Sequence, residues 1–305
     1  MQAKSVWRIR KQLAPYLFIS PFFILFLIFM LYPFIYAFVI SFADWNGIGI
    51  ENIRWVRVQN YIRMTKDNVF LQSLKNGIII YFMYVPVLVF LSIMLAVLLT
   101  RTWLKGRGFF RAAAYIPNIT STVAAAYIFS LIFNSSENGI VNLFLGALGM
   151  PKPISWFGSP LMARMVLSLL MIWRWLGYDT ILMMAGLSAI NTDVFDAASI
   201  DGANARQVFF RITVPLMKNF ILFTCIMSTI GTFSMFTEPK ILTDGVGGPF
   251  NTTMSTVLYI YNTSFKQLRM GYSSALAIIY FIIMLLLTVM QLKVGNREQR
   301  VKQGG

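Results

Sequence analysis

Histidine is absent from the 305 residues and cysteine occurs once, as Cys225 in the middle of an apolar run. Imidazole-based catalysis, histidine metal sites and intrachain disulfides are therefore excluded. No Gly-Lys pair occurs either, so the usual phosphate-binding loop is missing and any nucleotide must be held by another chain. Charge is also scarce: 12% of residues are charged against 57% hydrophobic, and mean hydropathy is +0.68. That is about half the charge density of an ordinary soluble domain. The chain reads as an integral membrane protein.

Six apolar stretches set the number of crossings: Pro15 to Ala43, Asn76 to Thr100, Ala112 to Ser136, Met165 to Thr192, Asn219 to Thr237 and Met270 to Leu292. Each is long enough for a hydrocarbon core of about 30 Å, which takes roughly 20 residues of helix. None shows the alternation of barrel strands, and backbone groups in lipid must be satisfied within each segment, so the expected fold is an all-α polytopic bundle of six transmembrane helices. Residues 1–305 form one transmembrane domain in this reading. Prolines at 21, 33, 86 and 117 interrupt apolar runs and predict kinks.

Net charge is +15, but the basic residues form short clusters beside the spans, so a membrane surface explains them and nucleic acid does not. Lys4, Arg8, Arg10 and Lys11 precede the first span, with no acid before Asp44, and Arg101, Lys105, Arg107 and Arg111 form an acid-free loop. Both place the amino terminus in the cytoplasm, and six crossings return the carboxyl terminus there. A cleaved signal peptide is the competing reading of the first run; its length, about twice a typical h-region, and the lack of a small-residue cleavage pattern after it favour a span. Outer segment 134–160 contains a stretch too short to cross, Ile140 to Met150, with Val141, Phe144, Leu145 and Leu148 on one helical face. A short helix at the outer surface, interfacial or packed on the ends of the bundle, is expected.

Residues 191–218, between spans four and five, are too structured for a connector. Thr192 or Asp193 can cap a helix, Asp196 sits early in it where a carboxylate favours the positive dipole end, and Gly202 allows a sharp turn. A second helical stretch from about Ala205 to Thr213 ends at Pro215. The resulting knob, with Phe195, Val208, Phe209 and Ile212 as apolar contacts, suits docking into a partner's groove. A loop packed only on its own bundle is the alternative.

This run resembles the EAA loop of permease subunits of ATP-binding-cassette importers. Asp196, Ala197, Ala198, Gly202, Ile212 and Pro215 occupy that pattern with its spacing, and Asp201-Gly202-Ala203 resembles the variant of carbohydrate-uptake permeases. Two departures are mild: Asp196 stands for glutamate and Val214-Pro215 for Leu-Pro. The resemblance extends over residues 15–47, 109–134 and 242–265 and points to the maltose and glycerol-phosphate transporter type. It implies a type I importer fold in a bacterial cytoplasmic membrane, with the loop as coupling helix to a separate ATPase through Asp196, Ala197, Ala198, Asp201, Gly202, Arg206 and Phe209. It also implies a second, similar permease subunit, two ATP-binding subunits that bind ATP and Mg, and an extracellular solute-binding protein. No cofactor and no catalysis are expected in this chain.

Spans four and five mix aromatic and polar groups as a sugar path requires: Trp173, Arg174, Trp175, Tyr178 and Asp179 in one, Ser228, Thr232, Ser234, Phe236 and Glu238 in the other. The resemblance puts a sugar-contacting tyrosine at Tyr178, whereas span five has hydroxyls where the maltose type has asparagines, leaving oligosaccharide, monosaccharide and sugar-phosphate or polyol open. Other roles compete: tryptophans as interfacial anchors, Ser228 and Thr232 bonded to their own backbone, Glu238 ending the span beside Pro239. An ion-coupled secondary transporter is the rival class, because Arg174 and Asp179 are ionisable residues within a span. Their separation also fits a structural ion pair.

Overall fold

The computed structural model describes residues 15–101 and 104–303. In chain order, α1 is Pro15–Ile40, β1 Ala43–Asp44, β2 Arg54–Trp55, α2 Gln59–Met64 and α3 Asn68–Thr100. There follow α4 Arg107–Ile119, α5 Thr122–Ile132, α6 Ile140–Ala147, α7 Pro160–Ser188, α8 Thr192–Ile200 and α9 Ala205–Leu216. The remainder is α10 Lys218–Phe233, α11 Thr237–Leu242, α12 Thr256–Tyr261 and α13 Met270–Gln303. Four helices are long and apolar enough to cross a membrane, and six spans result if the bent pairs α4/α5 and α9/α10 each count as one.

The chain divides into two compact units. Of the described residues, 15–66 together with 260–281 form the first. Its longest helix, α1, exposes nearly all of its aromatic and aliphatic side chains, as a lipid-facing helix must. After Ile40 the chain leaves the helix and forms an antiparallel pair, Ala43 opposite Trp55 and Asp44 opposite Arg54. Asn60 secures this exit: its amide donates to the carbonyls of Ser41 and Ala43, both at 2.9 Å.

Residues 67–259 with 282 onward form the second unit, which holds the loop and both path spans. Asp67 accepts from the amides of Val69 and Phe70 and so starts α3. α3 and α7 run side by side in the same direction. Ile80, Tyr84, Val85 and Leu88 pack with Val166, Leu167, Leu170 and Met171 in one core cluster, and Ile93 and Ala96 pack with Met183 and Met217 in another. Gly177 makes the crossing of α4 over α7 possible, since a Cβ there would sit 1.8 Å from the Ala114 carbonyl oxygen.

Three expectations change. The third span is not one helix from Ala112 to Ser136: α4 and α5 meet at 94°. Thr120 breaks the helix there: its hydroxyl donates to the Ile116 carbonyl at 3.0 Å while its own backbone is extended, and Ser121 follows in a non-helical conformation. Span five ends at Phe233, and after a break α11 carries Glu238 separately. In the outer segment the four apolar residues expected on one face divide: Val141 and Leu145 pack inward, while Phe144 and Leu148 are exposed, because the buried face of α6 is centred on Asn142.

Candidate functional site

The loop from Asn191 to Leu216 is built from local rules. Its first cap is Asn191, not Thr192 or Asp193: Asn191 Oδ1 accepts from the Asp193 amide at 3.1 Å while Nδ2 donates to the Asp193 carboxylate at 3.0 Å. α8 ends in a Schellman turn, with the Ala203 amide on the Ala198 carbonyl at 2.9 Å and the Gly202 amide on the Ser199 carbonyl at 3.2 Å. That turn requires the left-handed φ of +72° at Gly202. A capping box opens α9: Asn204 Oδ1 accepts from the Gln207 amide at 2.9 Å and Gln207 Oε1 accepts from the Asn204 amide at 2.8 Å.

Pro215 does not end α9. The helix widens to π geometry over Val208–Thr213, ahead of a proline that has no amide to donate and whose ring crowds the preceding turn, then continues to Leu216. It bends by 68° into α10 at Met217, which is fully buried.

Of the expected coupling residues, Asp196, Ala197, Asp201, Gly202 and Arg206 are exposed on this knob, whereas Ala198 is buried under α8. Phe209 turns inward against Ile93, Ala96, Met183 and Met217, edge-on to Phe90. Phe195 and Val208 also turn away from the outer surface. With Met94, Arg101, Leu187, Thr192 and Asp196 they line a cleft of about 920 Å³ between the loop and the end of α3. The most exposed apolar groups of the loop are Ile200, 87% exposed, and Phe210, with Val194 and Leu216 exposed to a lesser extent. Sequence reasoning passed over Ile200 and Phe210, though Ile200 stands one residue before the cap and is on the outer side of an amphipathic turn.

The two spans expected to form the path are organised by a long-range ion pair. Arg174 Nη1 donates to Glu238 Oε1 at 3.2 Å, and its guanidinium lies 5.9 Å from the Trp175 ring centre. Trp175 in turn meets Tyr178 edge-to-face at 5.8 Å. Thus Arg174, Trp175, Tyr178 and Glu238 come together, with Tyr178 38% exposed at the open face of α7. The local pair of Arg174 with Asp179 weighed from spacing does not form. Asp179 is only 5% exposed and lies on another side of the helix, beside buried Thr180 and Met183.

Span five places its candidates differently. Thr232 is 1% exposed, its hydroxyl bonded to Tyr84 Oη at 2.7 Å and donated to the Ser228 carbonyl at 2.5 Å. Ser228 is half-buried, and the exposed face of α10 presents Phe223, Met227, Ile230 and then Ser234. Tyr84, on α3, is a polar member of this interior that nothing in its own apolar run signals.

Residues 61–300 match the family described as binding-protein-dependent transport system inner membrane component. The chain is 35% identical to the lactose transport system permease protein LacF of Rhizobium radiobacter, over 88% of this chain and 89% of that one. It is 34% identical to the arabinooligosaccharides transport system permease protein AraP of Bacillus subtilis, over 96% and 93% of the two chains. In fold it is similar to a chain of a bacterial ABC transporter that imports the acidic polysaccharide alginate. That likeness has a TM-score of 0.78 at 22% identity and covers 96% of this chain and 99% of the other. A chain of a bacterial alginate ABC transporter in complex with an alginate pentasaccharide-bound periplasmic protein gives a TM-score of 0.79 at 22% identity, over 95% of this chain and 97% of the other. By this match and these relatives, the chain belongs to the inner membrane components of binding-protein-dependent transport systems and is a multi-pass permease of the plasma membrane.

Proposed function

We propose that this permease is one half of the membrane pathway of an ATP-driven importer for a sugar or oligosaccharide delivered by an extracellular binding protein. The observation that carries the reading is the Asn191–Leu216 knob: two capped helices set by a glycine turn, continuous through Met217 with span five, and exposing Ile200 and the Asp196 edge. Such a knob suits the groove of an ATPase subunit and links it to α10. ATP and Mg are then held by two partner ATPases, and nucleotide drives the cycle because those subunits dock differently on the inward and outward states. A second, similar permease completes the pathway opposite this one.

Tyr178, backed by Trp175 and the Arg174–Glu238 pair, offers the flat apolar surface and hydroxyl that a sugar ring uses. The sugar class is supported by the cargo in the names of LacF and AraP. Purification in mild detergent tests the assembly: an ATPase and another multispanning chain should accompany this one, and a transport-competent homomer would refute it. Replacing Tyr178 with alanine should lower sugar uptake while leaving the ATPase bound.

A further inference from the structure

Helix α6 has two faces with different duties. The buried one centres on Asn142, 5% exposed, whose side chain makes five hydrogen bonds. The two Nδ2 hydrogens are shared among the carbonyls of Asn134, Ser136 and Ile154 at 3.2, 3.0 and 3.1 Å, and Oδ1 accepts from the Ile154 amide and Trp156 Nε1, both at 3.0 Å. The Phe157 amide adds a bond to the Ser135 hydroxyl at 3.2 Å. Asn134 follows almost directly on α5, and Ser159 caps α7 shortly after Phe157. Through Asn142 the helix is thereby stitched to the segments in which α5 finishes and α7 begins. The rings of Phe133 and Trp156, 5.1 Å apart, join the same two segments.

The other face is apolar and uncovered. Ile140, Leu143, Phe144, Leu148 and Met150 are exposed, Phe144 by 64% and Leu148 by 70%. No charged residue occurs between Glu137 and Lys152. A charge-free apolar face beside the ends of two spans suits the acyl and headgroup boundary, where burying such side chains is favourable. We propose that α6 is a monotopic anchor inserted in one leaflet, with lipid as its occupant, tying the adjoining ends of spans three and four to the membrane surface.

Spin labelling tests this in the permease, with its accompanying subunits, reconstituted in lipid nanodiscs. In a Cys225→Ala background, Phe144→Cys and Leu148→Cys carry the nitroxide, and Glu137→Cys is the aqueous control. At 144 and 148, accessibility to oxygen should exceed accessibility to a water-soluble nickel chelate, with the ratio reversed at 137. Nickel accessibility at 144 and 148 equal to that at 137 would place the face in water and overturn the proposal. A label immobilised and shielded from both relaxants would show that a protein covers the face, and would overturn it equally. The two sites report independently, so misfolding of one variant leaves the other decisive.

Discussion

The loop at 191–216 and the path face of α7 are held in opposite ways. In the loop every defining bond joins residues within five positions of one another, from the Asn191 cap through the Gly202 turn to the Asn204–Gln207 box. In the candidate path face the defining contact joins Arg174 of α7 to Glu238 of α11, 64 positions apart in the chain. Local bonding lets the knob keep its shape while its surface is free for a partner. A long-range pair in the membrane makes the face depend on the relative placement of α7 and α11. Damage to the outward surface of the loop should therefore appear as lost coupling, and damage to the ion pair as lost structure.

The largest effect should come from the ion pair. Glu238→Ala leaves Arg174 nearly buried with its charge uncompensated, a change that costs about 3 kcal/mol or more when a buried pair loses one member. The amount of folded permease in detergent should fall accordingly. The double substitution Arg174→Met with Glu238→Leu should recover much of that stability, because removing both charges removes the desolvation cost. If the double variant is as unstable as the single one, α7 and α11 are not held by this pair.

Next is the crossing of α4 over α7. Gly177→Ala drives a methyl into the Ala114 carbonyl, backbone against backbone, so the helices must separate. Overpacking of this kind costs about 1–3 kcal/mol. Thermal unfolding of the purified complex should shift downward, and an unchanged midpoint would mean that α4 yields easily at its 94° junction with α5.

These two regions also differ in what a reader of the sequence can extract. The six runs, the glycine turn and the two-helix knob are legible because hydropathy, capping chemistry and left-handed backbone are local properties of the chain. Even the errors there are small: Asn191 caps where Thr192 or Asp193 was expected, a shift of one or two positions between residues of similar capping ability. The Arg174–Glu238 pair, the inward turn of Thr232 to Tyr84 and the Asn142 hub are not legible. Each depends on how separate helices meet, and Asp179 is as good a sequence candidate for Arg174 as Glu238 is. The direction of Phe209 fails for a related reason. An apolar residue on a short helix can face partner or bundle, and only the packing of Met183 and Met217 decides it.

A smaller effect is expected at Gly202, where two causes can be separated. A Cβ there would meet nothing within 4 Å, so the penalty is conformational: roughly 1–2 kcal/mol for an ordinary residue held in left-handed geometry. Gly202→Ala should loosen the turn and lower sugar-stimulated ATPase activity, while Gly202→Asn, which tolerates that φ, should retain more of it. Equal loss in both variants would instead place a partner surface directly against this position.

The smallest effect on the fold, and the sharpest separation of the two regions, belongs to Ile200. With 87% of its surface exposed it has little packing to lose, so Ile200→Ser should change stability by no more than about 0.5 kcal/mol in the isolated chain. In the importer assembly proposed above the same side chain would enter the ATPase groove, where burying it fully is worth about 1.5–3 kcal/mol. Co-purification of the ATPase should therefore weaken markedly while the unfolding midpoint of the permease stays where it was. Phe209→Ser makes the reverse case, because that ring fills the cluster of Ile93, Ala96, Met183 and Met217 and its loss leaves a cavity. If Ile200→Ser leaves ATPase binding unchanged while Phe209→Ser abolishes it at unaltered stability, the docking surface is the cleft side of the loop and the outward face has been misassigned.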